Sequence, residues 1–84
     1  MTHKLFNLEI VTPHSSEHVK IYWIEIESPT GSFLVGPNHT PLVSIIKKKS
    51  KLLYKAHDDK EYAIDAYGGM FKIIENKALV LLDQ

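Results

Sequence analysis

Five histidines in a chain of 84 residues raise the possibility of metal or acid–base chemistry. His14 and His18 have the spacing of a paired ligand set, but residues four apart converge on one ion only when a helix stacks them. On an extended chain at ~3.3 Å per residue they share a face yet lie roughly 13 Å apart. Ser15, Ser16 and Ser44 lack the strand–turn–helix elbow that exposes a nucleophilic hydroxyl, and no glycine-rich phosphate loop precedes a helix. Asp58 and Asp59 are adjacent carboxylates, but HDDK, residues 57–60, reads as a hairpin turn in which aspartate is an ordinary turn former. Cysteine is absent, which excludes a disulfide scaffold, a thiolate zinc site and a cysteine nucleophile. The chain therefore reads as non-catalytic, with no catalytic residues, no cofactor and no metal expected.

Composition narrows the remaining classes. Residues 1–84 suit one domain with a small core, in which about 60 to 65% of the unfolded chain's surface is buried, so stability gains from a partner. With 44% hydrophobic and 24% charged residues the chain is expected to fold rather than stay disordered. Ten acidic residues balance ten lysines, and there is no arginine. A neutral chain without the residue that reads phosphates and base edges bidentately is a poor nucleic-acid ligand. MTHKLFNLEIVTP alternates polar and apolar residues too regularly for the apolar core of a signal peptide, and no apolar run approaches the ~18 residues of a membrane span. No direct membrane insertion is expected. A small domain without disulfides is more often intracellular.

The elements that would position any site follow a period of two. Phe6, Leu8 and Ile10 share one face of a strand that Pro13 ends. Val19, Ile21 and Trp23 share a face, but Ile24 and Ile26 continue on even positions. The slip at Trp23 predicts a bulge or bend between two strand pieces, because a slip without one would turn every side chain to the wrong face. SPTG, residues 28–31, is a turn, and Phe33–Val35 is a short strand. LVSII follows, then KKKSK, residues 47–51, read as a turn or a lysine-guarded strand edge. LLYKA and EYAIDAY pair across the HDDK turn. Gly68 and Gly69 open the next strand where backbones bend or approach closely, and an Asn76–Lys77 turn leads to the last strand, Ala78–Leu82. The expectation is an all-β fold: a flattened antiparallel two-sheet β-sandwich or barrel of about eight to ten short strands.

One stretch stands apart, GPNHTP at residues 36–41. Pro37 and Pro41 fix two backbone angles and push Gly36 and Thr40 toward extended conformations, while Asn38 can take a left-handed one. The segment is a stiff corner between layers, and a stiff exposed corner loses little entropy on docking.

GSFLVGPNHTPL, followed by GGMFKIIENKALVLLD and preceded by LEIVTP, resembles the epsilon subunit of rotary proton-translocating ATP synthases, the delta subunit of the mitochondrial enzyme. The likeness covers nearly the whole chain. It implies a ten-stranded flattened β-sandwich, normally followed by a pair of helices that carry inhibition of ATP hydrolysis and, in some bacteria, a nucleotide site. Neither role nor ATP binding is expected of these 84 residues. It further implies a non-catalytic rotor subunit of the central stalk that joins the gamma subunit to the c-subunit ring. That places it peripherally on the cytoplasmic face of the inner (plasma) membrane. By the same resemblance Pro29, Thr30, Gly31, Ser32 and His39 face the c ring, and Thr12, Val43 and Ser44 face gamma. The competing readings are a free-standing β-sandwich adaptor or ligand-binding module, and a histidine-dependent metal enzyme.

Overall fold

Alternating burial along each strand builds the domain. In a computed structural model, which describes residues 4–84, six strands run in order: β1 (Phe6–Thr12), β2 (Ser15–Ser28), β3 (Gly31–Val35), β4 (Leu42–Ala56), β5 (Glu61–Ile74) and β6 (Lys77–Leu82). They pair in the order β1-β6-β5-β4-β2-β3, and β1 also pairs with β2, so five strands close into a barrel from which β3 extends as a sixth. The all-β flattened barrel is the fold expected from the period-two pattern. Two particulars differ.

The strands number six among the described residues rather than eight to ten, because β2, β4 and β5 run through their bends without breaking. β2 shifts register between Ile21 and Trp23, where the slip in the apolar phase required it. β4 shifts between Lys48 and Ser50, with Lys49 at φ 58°. The KKKSK stretch is thus a bulge inside one strand, not a turn between two. The buried Ser50 hydroxyl donates to the Lys47 carbonyl at 2.7 Å and satisfies the oxygen that the bulge removes from the ladder. The outer lysines are partly paired, Lys47 with Glu27 at 3.2 Å and Lys51 with Asp65 at 3.6 Å.

The second difference is that one pair is parallel: β1 runs alongside β6 with Leu8 opposite Ala78 and Ile10 opposite Val80. Parallel neighbours need a long connection, and here nearly the whole domain is that connection. Each bent strand serves two layers. The first layer holds the start of β2, β1, β6, the end of β5 and the start of β4; the second holds the start of β5, the end of β4, the end of β2, and β3.

The space between the layers is filled by Leu8, Ile21, Ile24, Ile26, Val35, Ile46, Leu52, Phe71, Ile73 and Val80, all essentially inaccessible. Phe33 of the second layer meets Phe71 of the first edge to face, with ring centroids 6.2 Å apart. Each buried aliphatic or aromatic side chain contributes about 1.5 to 3 kcal/mol, which is why alternation sets the faces.

β5 lies closest against β6 at the start of their pairing, where Gly69 stands opposite Leu82. Gly69 sits at φ 149°, and a Cβ there would overlap the main-chain carbonyl oxygen of Leu81. Gly69→Ala combines a backbone collision with a disfavoured φ, so the expected loss is about 3 kcal/mol or more, measured by urea unfolding. A variant as stable as the parent would disprove this account of the glycine pair.

Candidate partner interface

The inside of a closed barrel takes only one face of each strand, yet β4 and β6 are apolar on both. In LVSII, Ile46 points inward while Val43 and Ile45 are 58% and 60% exposed. In ALVLL, Ala78, Val80 and Leu82 point inward while Leu81 is 42% exposed. Register joins these outward residues into rows across the first layer. Ile45 lies opposite Met70, Met70 opposite Leu81, and Leu81 opposite Val11. One step along, Val43 lies opposite Lys72, Lys72 opposite Leu79, and Leu79 opposite Glu9. Ile74 extends the surface toward the β5–β6 turn. Val43, Met70, Lys72, Leu79 and Leu81 line a shallow groove over Phe71. An apolar sheet face with Lys72 set within it and Glu9 at its edge has the make-up of a protein-contact surface.

Of the residues expected to face gamma, only Val43 lies on this surface. Ser44 is on the opposite side of the same strand, and its hydroxyl donates to the neighbouring Ile45 carbonyl at 3.2 Å. Thr12 is three strand spacings from β4, roughly 14 Å, at the β1–β2 turn. Its Oγ1 accepts from the Ser15 and His14 amides at 3.1 and 3.3 Å, so its side chain holds the turn. The outward residues Ile45, Met70, Ile74, Leu79 and Leu81 were missed. Their signal was present, since strands apolar on both faces cannot bury both inside one small barrel.

Pro29 and Thr30 form the β2–β3 hairpin turn, and Gly31 and Ser32 open β3 opposite Ser28 and Glu27. Ser28 Oγ donates to the Gly31 carbonyl at 2.8 Å and lies 3.3 Å from Thr30 Oγ1. His39 sits in the β3–β4 corner, and its Nδ1–H donates to the Thr40 carbonyl at 2.7 Å, leaving Nε2 as the outward nitrogen. The five-residue β3, roughly 16 Å long, separates that turn from the corner, so the structure does not bring Pro29 to Ser32 together with His39. A partner contacting both must run along β3.

The residues first considered for catalysis are spread apart. His3 lies outside the described residues. His14 is in the β1–β2 turn, His18 Nε2 is 3.4 Å from Glu9 Oε2 across the β1–β2 pair, and His57 is at the β4–β5 turn. Among the described residues no three of His, Cys, Asp or Glu gather as a metal site would require. Asp58 acts as the turn former anticipated for it. Its Oδ1 accepts from the Lys60 amide at 3.0 Å and its Oδ2 from the Tyr62 hydroxyl at 2.6 Å. Tyr62 stacks on Tyr54, ring centroids 5.3 Å apart.

A model of the ATP synthase delta/epsilon chain β-sandwich domain matches residues 5–84. The chain belongs to that family. The delta/epsilon sandwich domain is thus a domain of an ATP synthase subunit, as the GPNHTPL and GGMF elements indicated. Among solved structures it superposes on a chain of the Euglena gracilis mitochondrial ATP synthase (OSCP/F1/c-ring in rotational state 1) with a TM-score of 0.86 at 13% identity, covering 100% of this chain and 53% of that one. A chain from the Tetrahymena thermophila mitochondrial ATP synthase central stalk and c-ring gives a TM-score of 0.81 at 9% identity, with 67% of that chain covered. The domain therefore spans about half the length of the first relative. A sequence search of curated proteins finds no match.

The Tyr62 hydroxyl, followed by the Lys60 amide, holds the Asp58 carboxyl below its ordinary value, and the same bond raises Tyr62. A depressed carboxylate stabilises the fold above its unfolded pKa, and that contribution disappears as pH falls through the folded value. Tyr62→Phe is expected to move Asp58 up toward the ordinary value of about 3.9, read by carbon NMR titration of its carboxyl. The stability that Asp58 adds above its unfolded pKa then shrinks, and with it the part of the loss on acidification that Asp58 causes. An unchanged Asp58 titration would show that the hydroxyl is not its main partner.

Proposed function

We propose that the delta/epsilon sandwich domain works as a non-catalytic rotor piece, joining the gamma subunit to the c-subunit ring in the central stalk of a proton-translocating ATP synthase. The observation that carries the reading is the apolar outer face of the first layer, built on rigid strands in a domain whose family is a subunit of that machine. An outer row of Ile45, Met70, Leu81 and Val11 leaves water when a partner sheet or helix covers it, and burial on that scale suits a lasting contact. Gamma is the partner assigned to this face. The β2–β3 turn with the start of β3, Pro29 to Ser32, and the corner carrying His39 are assigned to the c ring, reached along β3. The assembly places the domain peripherally, on the cytoplasmic face of the inner (plasma) membrane, with no segment of its own in the bilayer.

Mechanical coupling needs stiffness more than chemistry. Two prolines, a close backbone approach at Gly69 and three bent strands shared by both layers supply it, because a barrel strand cannot move without its neighbours on either side. The Asp58 carboxylate, which holds its turn, and the imidazoles of His18 and His39, each bonded to a neighbouring group, fit this role.

Ile45→Asp puts a charge on the outer face without touching the core, so the variant folds and its affinity for purified gamma falls at least about 10-fold. Leu34→Asp, on β3 at 60% exposure and in the other layer, is the matched control and binds gamma as the parent does. Equal affinity of the Ile45 variant and the parent, or equal losses in both variants, would sink the assignment of this face.

A further inference from the structure

The corner at residues 36–41 is braced by its prolines, but prolines fix only the local path. What sets its position against the barrel is a pair of asparagines far apart in sequence. Asn38, at φ 62°, donates its main-chain N–H to Asn76 Oδ1 at 2.6 Å, and Asn76 Nδ2 donates back to Asn38 Oδ1 at 3.1 Å. Asn76, at φ 61° in the β5–β6 turn, also accepts the Asn7 amide on its main-chain carbonyl at 3.1 Å. One residue thus joins the start of β1, the β5–β6 hairpin and the β3–β4 corner. Both asparagines sit in the left-handed conformation that asparagine tolerates better than other side-chain-bearing residues, so each is suited to its turn and to the bond it makes.

The location gives this pair a mechanical meaning. The β5–β6 turn follows directly from Ile74, Lys72 and Met70 and leads into Leu79 and Leu81, the strands of the apolar outer face. The corner carries His39. Apart from the chain itself through β4, the asparagine pair is the direct polar link between the corner and that face among the described residues. We propose that the Asn38–Asn76 clamp is a positioning device that holds the His39 corner in register with the outer face, so that load taken at one surface reaches the other. This rests on the reading of the two surfaces as c-ring and gamma contacts.

A free corner would still be connected by Leu42 and keep its local path, but its position against the barrel would no longer be set, and its docking would cost the entropy that the clamp has already removed. The amide geometry is reciprocal, each asparagine giving one donor and one acceptor. A carboxylate at position 76 keeps the arrangement, because it accepts from the Asn38 N–H and from the Asn38 side-chain amide once that amide turns over. A glycine there keeps the left-handed turn and the carbonyl that Asn7 uses, and removes only the clamp.

The test compares the parent with Asn76→Gly and Asn76→Asp. Exchange of the Asn38 amide hydrogen is expected to accelerate about 10-fold or more in Asn76→Gly and to stay near the parent in Asn76→Asp. Affinity for a detergent-purified c ring is expected to fall about 5-fold or more in the glycine variant and to be retained in the aspartate variant, while gamma affinity is unchanged in both. Loss of overall stability alone would not separate the two variants in this way. If the glycine variant exchanges like the parent, or binds the c ring as tightly, the clamp proposal is overturned. If exchange accelerates as expected but the parent itself does not bind the c ring, the clamp stands as a structural link and the c-ring assignment fails instead.

Discussion

Closure of the sheet is the constraint from which the other features follow. When β1 pairs with both β6 and β2, each strand of the ring has one face turned to a narrow interior and one to the outside. Among the described residues the interior is filled by seventeen buried apolar side chains, mostly isoleucine, leucine, valine and alanine with two phenylalanines and one tyrosine. Every further apolar residue of the ring strands must then face outward or lie at a barrel mouth. The outer rows through Ile45, Met70 and Leu81 are therefore a product of packing arithmetic: the strands carry more apolar positions than the interior has places.

Closure also dictates the bends. A sheet of so few strands closes only if its long strands curve sharply, and curvature is concentrated where the ladder is interrupted. β2 bends where Trp23 follows Ile21 out of register, β4 where Lys49 takes a positive φ, and β5 at Gly68 and Gly69. The lysines around the β4 bulge and the serine that satisfies its carbonyl are the local cost of this geometry. They make the basic stretch a structural feature of the barrel.

The docking surfaces differ in kind. The outer face of the first layer is flat, apolar and carried by strands, so its shape is set by the ladder. The β2–β3 turn and the β3–β4 corner are short loops stiffened by proline, by the Ser28 and His39 hydrogen bonds and by the asparagine pair. A rotor domain needs both: a broad surface for a durable hold on one neighbour, and small rigid projections that meet another without melting under load.

The order of polar and apolar residues by itself determined the strand character, the inward set on β1 and the end of β2, the bulge near Trp23, the hairpin at Asp58, the close backbone approach at the glycine pair and the stiffness of GPNHTP. These are decided by steric limits on single residues and by a period of two, both of which act within a few positions of the chain. Family motifs in GPNHTPL and GGMF carried the identity of the domain on the same local scale. The parallel pairing of β1 with β6, the continuity of β4 through its lysines, the outward assignment of Ile45 and Met70, the separation of Ser32 from His39 and the meeting of Asn38 with Asn76 were decided by the tertiary structure. Each depends on which distant strands become neighbours and in what register, and a strand that is apolar on both sides does not declare which side the barrel will enclose.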